Sequence, residues 1–426
     1  MIRTMPPTRN ATAFPSRSAL APALGCLAVL LSLTYSAVAQ GQTYSVLHSF
    51  AGGSSDGASP YGSVILSGST LYGMTHEGGS KNLGTIFQIG ADGSGFNLLH
   101  SFAGHSADGA YPFGSLTLTG STLYGMTHNG GRYDRGTVFK IGTDGTGNSI
   151  LHAFRGSIKG VSPHGGLTLS GSTLFGMTPG GGDIPGTIFK IGIDGSGYSI
   201  LHQFFSPAAG LAPSGSLTLS ASTLYGMTSD AGSNYVGAVF KVGTDGKGYA
   251  ILHSFGLLDG QNPDGSLTLS GLTLYGMTSG GGSNNGGTIF QIGTDGSDFG
   301  LLHSFAGGSG DGAGPFGSLT LSGSTLYGMT SAGGSNNAGT IFQLGTDGSG
   351  FSILRSFGGG TTDGANPRGD LTLSGSTLYG MTLQGGTYGN GTIFALTIPE
   401  PSTFALVAVG TVSLLAYAWR RRTRAA

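Results

Sequence analysis

Residues 266–305 read SLTLSGLTLYGMTSGGGSNNGGTIFQIGTDGSDFGLLHSF, from Ser266 to Phe305. Four short apolar runs stand out: SLTLSG from Ser266, TLYGMT from Thr273, GTIFQIG from Gly287 and FGLLHSF from Phe299. Each is too short for a helix and is rich in Thr, Ile, Leu, Tyr and Phe, so each reads as a strand. A tight Ser-Gly turn joins the first pair. TDGSD joins the last pair, and its Asp-Gly tolerates positive φ and marks a hairpin. The segment therefore reads as one four-stranded antiparallel sheet.

Outward from this stretch the unit recurs. LYGMT begins at Leu71, Leu123, Leu224, Leu274, Leu326 and Leu378, and LFGMT at Leu174, at a spacing of 50 to 52 residues. GTIF or a close variant ends seven times, first at Phe87 and last at Phe394. LHSF or a variant also ends seven times, from Phe50 to Phe357. Four strands per unit of this length describe a propeller blade. A lone blade cannot bury its faces, so the units must stack, as a ring or as a solenoid. Chain order favours the ring. YSVLHSF (Tyr44–Phe50) is the fourth strand of a unit, and the repeats end on GTIFAL (Gly391–Leu396), a third strand. The N-terminal strand can therefore complete the seventh blade and remove the exposed sheet edges. The expected fold is all-β: a seven-bladed β-propeller of four-stranded antiparallel blades over residues 44–396, plus a C-terminal transmembrane helix in the precursor.

The repeated GTLYG-type strands, followed by GG and GT[IV]F, resemble the GloVer (Gloeo/Verruco-type) repeat of choice-of-anchor exported proteins. The resemblance covers about residues 44–396 and brings no assigned activity. A looser likeness to kelch and NHL propellers bears on the fold alone.

Both ends read as addresses. Arg3, Arg9 and Arg17 precede an apolar run from about Ala19 to Leu33, and then Ala37-Val38-Ala39. Residues 1–39 therefore read as a secretory signal peptide cut after Ala39, with Ala37 and Ala39 as the small-residue site. Cys26, the single cysteine, lies inside it, so the mature chain has neither disulfide nor thiolate chemistry. A lipoprotein reading of Cys26 is poor, because most of the apolar run follows it. At the other end Thr403–Trp419 is apolar and just long enough to span a thin bilayer. Arg420, Arg421, Arg422 and Arg424 follow and should stay cytoplasmic. Pro399-Glu400-Pro401, the apolar stretch 403–419 and the arginine cluster, all within 397–426, resemble the PEP-CTERM sorting signal. The resemblance implies transient anchoring in the inner membrane of a Gram-negative bacterium that makes exopolysaccharide. It also implies an exosortase-type protease that cuts near Pro399, Glu400 and Pro401.

Composition excludes several functions. The 18 Lys+Arg nearly balance the 19 Asp+Glu, and charged residues are only 9%, so no basic face for nucleic acid is expected. Glutamate is limited to Glu77 and Glu400, which leaves no pair of glutamates for glycoside hydrolysis. Asp134, Asp183, Asp230, Asp264 and Asp370 lie outside the shared turns and read as scattered over blades. His48, His100, His152, His202, His253 and His303 recur once per unit, with Arg355 in the remaining copy. Such spacing is too wide for one metal ion, so they read as hydrogen-bonded structural residues. Asp56, Asp108, Asp311 and Asp363 in DGAxP-type loops, and the Asp of each Asp-Gly hairpin, read as turn residues. No catalytic residue, metal site or cofactor is expected.

What remains is surface recognition. The loops from strand two to three, and from strand four to the next blade, fall on one face. They are long and vary in sequence among copies, as HEGGSKNLG from His76 and HNGGRYDRG from His128 illustrate. Arg132, Tyr133, Asp134 and Arg135, with Arg155 and Lys159 of the next loop, form the densest charged cluster on that face. The expected function is that of an exported, non-enzymatic surface or matrix protein that binds exopolysaccharide or a surface protein there. The alternatives are a purely architectural repeat protein and a divergent polysaccharide hydrolase or lyase.

Overall fold

The computed structural model describes residues 42–398, apart from 105, 157–159, 181–185, 206–211 and 231–234. Within them the chain forms seven four-stranded antiparallel sheets. Blade one contains Ile65–Ser67, Thr70–Thr75, Thr85–Gly90 and Asn97–Ser101, paired in chain order. The TLYGMT run is a strand over its full length in every copy, as Thr273–Thr278 shows in blade five. The first strand is shorter than expected: Thr268–Ser270 instead of a run from Ser266. The reason is a change of hydrogen-bond partner. Ser266 N donates to Ser318 Oγ of the next blade (2.8 Å), and Thr268 Oγ1 to Leu319 O (2.5 Å).

These inter-blade bonds form rings about the central axis. The amides of Ser63, Gly166, Ser216, Ser266, Ser318 and Asp370 each donate to the side chain one blade on, and Asp370 N returns to Ser63 Oγ at 2.6 Å. Just inside lies a ring of seven glycines: 62, 114, 165, 215, 265, 317 and 369. A Cβ on any of them would lie 1.8–2.3 Å from the carbonyl oxygen of the next, and that of Gly369 would meet Gly62. Backbones this close admit no side chain, which is why the position is glycine in all seven units. The circular order closes the ring and excludes a solenoid.

The seventh blade is completed by the opposite end of the chain. Thr43–Ser49 pairs beside Thr392–Thr397, followed by Thr377–Thr382 and Thr372–Ser374. Phe50 N donates to Gly391 O (3.0 Å) and Tyr44 Oη to Asp363 Oδ1 (2.7 Å).

Hydrophobic burial occurs between blades. Tyr379, Met381 and Ile393 of blade seven pack against Val64, Leu71, Phe87 and Ile89 of blade one. The same set recurs from Tyr72, Met74 and Ile86 onto Leu116, Leu123, Phe139 and Ile141. The repeated methionines and phenylalanines are therefore inter-blade core. The outer strands add a second belt. His48 stacks on Phe96 of the next blade at 3.8 Å, and His152, His202, His253 and His303 do so on Tyr198, Tyr249, Phe299 and Phe351. Arg355 takes the position in the sixth blade and lies 3.5 Å above Tyr44, whereas His100 of the first blade meets Asn148 at 3.3 Å in place of a ring. Asp56, Asp108, Asp259 and Asp311 hold four of the histidines at 3.0–3.2 Å, and Asp363 holds Arg355 at 2.6 Å. Asp56 also accepts from the amides of Ala51 and Gly57, so it fixes the loop as well as the ring.

Candidate functional site

Strand direction places the two-to-three loops and the inter-blade loops on one face, around the axis. The residue entering each inner strand lies between a proline and an axial glycine in every unit, from Pro60-Tyr61-Gly62 to Pro367-Arg368-Gly369. The flanking residues do not vary, but the central one does: Tyr61, Phe113, His164, Ser214, Asp264, Phe316 and Arg368. The residue before the proline has positive φ in all seven copies, between 49° and 61°, and only Gly314 among them is glycine. A non-glycine residue adopts this conformation only where its surroundings enforce it. Here the preceding blade does so: Ser59 N bonds Asn390 O, Tyr111 N bonds Leu83 O and Asn366 N bonds Ala338 O, at 2.7–2.9 Å. The turn is thus built identically seven times and carries a different side chain to the mouth of the axis on almost every blade.

The residues that follow the LYGMT strands form a second tier. His76 N and His128 N bond the carbonyls of Ser59 and Tyr111, each at 3.1 Å. Across blades one to three the two tiers make one aromatic assembly. His76 and Tyr61 lie 4.2 and 4.8 Å from Phe113, and His128 and His164 are stacked at 4.9 Å. On the other side Arg368 lies 4.3 Å over Phe316, and Asp264 meets the Ser279 hydroxyl at 3.0 Å.

Burial lowers the pKa of His76. His164 is solvent-exposed, but Phe113 and His128 each pack 4.9 Å from its ring. That enclosure, and then the charges of His128 and His76, bring it to about 4. The Asp264 carboxyl is raised, chiefly by burial, while Ser279 and Arg368 pull it down and Asp230 pushes it further up. His76 Nδ1 and Arg368 Nε are buried without a hydrogen-bond partner among the described residues. The mouth therefore holds imidazoles and aromatic rings on one side, and a carboxyl, a guanidinium and hydroxyls on the other. Sequence reading missed it. Asp264 and Asp370, which read as scattered, both stand at the axis. The available signal was the variable residue of the P-x-G triplet.

The charged cluster expected from sequence lies at the rim. Arg132, Tyr133 and Arg155 line a groove with His152 and Tyr198. Asp134 points into its own loop, where Oδ1 accepts Gly130 N at 2.8 Å. Arg135 is exposed on the same loop. Lys159, Asp183, Ala37, Ala39, Pro399, Glu400, Pro401 and the expected helix 403–419 lie outside the described residues. Among the described residues no helix is long and apolar enough to cross a membrane. Nor does any group of three His, Cys, Asp or Glu there have the geometry to hold a metal ion.

The fold resembles solved propellers. An oligogalacturonate lyase from Vibrio parahaemolyticus is 10% identical, with a TM-score of 0.54 over 84% of this chain and 98% of that one. An oligogalacturonate lyase in complex with manganese is 9% identical, with a TM-score of 0.51 over 84% and 97%. At these identities the likeness concerns the fold. No curated protein matches the sequence. Residues 397–422 match the PEP-CTERM protein-sorting motif, which marks export and a membrane-anchored sorting signal in Gram-negative bacteria. The molecule is thus a sorted, seven-bladed repeat propeller. Residues 33–185 and 180–394 match the Gloeobacter/Verrucomicrobia repeat, and the chain belongs to that family.

Proposed function

We propose that this chain is a non-catalytic binding propeller, displayed at the cell surface or in the extracellular matrix, that recognises polysaccharide or a surface protein through its long-loop face. The observation that carries this reading is the single variable residue held between a fixed proline and a fixed glycine in seven copies. An architectural ring gains nothing from placing Asp264 and Arg368 partly out of water at that mouth, since desolvating charge is costly. A recognition site gains polar groups at fixed positions beside aromatic surface. The route to the surface is removal of residues 1–39, anchoring through 403–419 and cleavage by an exosortase-type protease near Pro399–Pro401.

The test is a glycan-array and surface-protein binding screen with residues 42–398. It is repeated with Tyr61→Ala, Phe113→Ala and Arg368→Ala combined. A ligand whose binding falls at least tenfold in the triple variant supports the reading. Failure of every ligand to bind favours the architectural alternative. Steady release of unsaturated or reducing sugar ends from a polysaccharide would establish the lyase or hydrolase alternative instead.

A further inference from the structure

Away from the axis, blades two and three enclose an open groove of about 640 Å³ lined by Arg132, Tyr133, Arg155, His152 and Tyr198. Residues 44–396 contain five arginines. Arg355 is paired with Asp363, and Arg368 lies on Phe316. The other three, Arg132, Arg135 and Arg155, stand on two adjacent loops, and Arg132 and Arg155 line the groove. The Cζ atoms of Arg132 and Arg155 lie 5.7 and 5.2 Å from the centre of the Tyr133 ring, so one aromatic side chain holds both guanidiniums. Neither makes an ion pair among the described residues.

Asp134, the acid within the same loop, makes no ion pair with them among the described residues. It has φ 49° and bonds the Gly130 amide, the role that Asn82, Asn285 and Asn337 play in other blades at 2.9–3.0 Å. It is a loop-building residue whose carboxylate is already engaged. The result is a concentrated, unpaired cationic site on a chain whose formal net charge is −1.

We infer that this groove is a second binding site, distinct from the axial mouth, and that it takes the carboxylate groups of an acidic polysaccharide. Guanidinium presents a planar fork of donors that matches a carboxylate, and a fork already held on an aromatic ring loses little freedom on binding. The groove is open along the rim, so it admits the interior of a long chain and needs no chain end. A stiff polymer with a carboxylate on each sugar suits two fixed forks better than a flexible acidic peptide, which must first be ordered.

The experiment uses residues 42–398 and three probes: sodium alginate, alginate with its carboxyls esterified, and poly-glutamate. Alginate should bind at low salt and weaken as salt rises. Esterified alginate and poly-glutamate should bind at least tenfold more weakly. Arg132→Ala with Arg155→Ala should lower alginate affinity at least tenfold without changing the melting temperature, since both side chains are exposed. Arg132→Lys with Arg155→Lys should restore part of it. Lys247→Ala, an 88% exposed cation on a blade-four hairpin outside both sites, should bind alginate like the parent and controls for simple loss of positive charge. Equal binding of the esterified polymer would overturn the assignment. So would tighter binding of poly-glutamate, which would make an acidic protein the occupant, or alginate binding that survives loss of both arginines.

Discussion

Closure of the ring by the N-terminal strand makes a quantitative demand on Phe50. The side chain is fully buried, 5.5 Å from the Phe87 ring and 5.1 Å from His48, and its amide bonds Gly391 O at 3.0 Å. Phe255, in the middle of the chain, is also fully buried, 5.1 Å from Phe290 and 5.0 Å from His253, with its amide 3.0 Å from Gly237 O. The two sites are near copies, except that one belongs to a strand attached at only one end. Truncating a buried phenylalanine to alanine costs about 3–5 kcal/mol through lost transfer energy and the cavity left behind. If the closing strand is as firmly seated as an internal one, Phe50→Ala and Phe255→Ala should both fall in that range, within about 1 kcal/mol of each other. Denaturant unfolding of residues 42–398 measures both. A fraying terminal strand would predict otherwise, because local opening caps the cost of a mutation at the free energy of that opening. A Phe50→Ala cost below about 1 kcal/mol beside a full cost for Phe255→Ala would refute the closed ring as the stable state.

Gly165→Ala should destabilise by about 3 kcal/mol or prevent folding, because its Cβ would lie 1.8 Å from Gly215 O in a backbone ring that cannot yield locally. Gly300→Ala, where nothing lies nearer than 4.0 Å, is the matched control and should stay within about 0.5 kcal/mol of the parent in the same unfolding assay. Acid should weaken the fold. His76, His164 and His202 have lowered pKa values in the native state, so the unfolded chain binds more protons, and their contribution is present above about 6.5 and is lost as pH falls toward about 4. Burial raises the Asp108 carboxyl, but bonds from His100 and two loop amides leave it lowered overall, so it adds a loss below about pH 4. Melting temperatures that stay flat between pH 7 and pH 4 would contradict this. Trp419, the single tryptophan, lies beyond Pro401, so processed protein from the native host should lack tryptophan emission and the corresponding mass. Membrane-bound protein that keeps Trp419 as its sole mature form would rule out cleavage.

The fold was legible because it is written seven times. Any one TLYGMT could be an isolated hairpin, but regular recurrence at 50 to 52 residues with GTIF and LHSF in phase leaves few architectures. Closure was legible from a permutation of the repeats: the array starts on a fourth strand and stops on a third. The histidines read as structural, and four of them meet aspartate oxygens at 3.0–3.2 Å. Their stacking on Phe96, Tyr198, Tyr249, Phe299 and Phe351 was not legible, because each partner belongs to the next unit and meets the imidazole only through the relative register of two blades. The axial mouth was missed for the same reason. Tyr61, Phe113 and His164 are about fifty residues apart in sequence, and only the ring makes them neighbours. Attention to long, variable loops found Arg132 and Arg155 but passed over a triplet whose length never changes.

That triplet bears on how such a scaffold acquires specificity. In a ring of near-identical units, stability is roughly a sum of equivalent interfaces, so one altered copy costs little. The structure contains examples. Gly166 removes one hydroxyl from the axial ring of amide acceptors, and Ile65 replaces a threonine that elsewhere bonds the next blade, as Thr117 bonds Leu167 O at 2.5 Å. Both losses are absorbed by six intact copies. Substitution at the P-x-G position differs from these, because its side chain lies in neither the glycine ring nor the inter-blade core. The fixed proline, the fixed glycine and the left-handed residue before them carry the structural requirement. The residue between them is free to vary without disturbing the ring, and seven such residues meet at one mouth. A repeat protein built this way can change what it contacts by single substitutions at seven addressable positions while its fold stays the same.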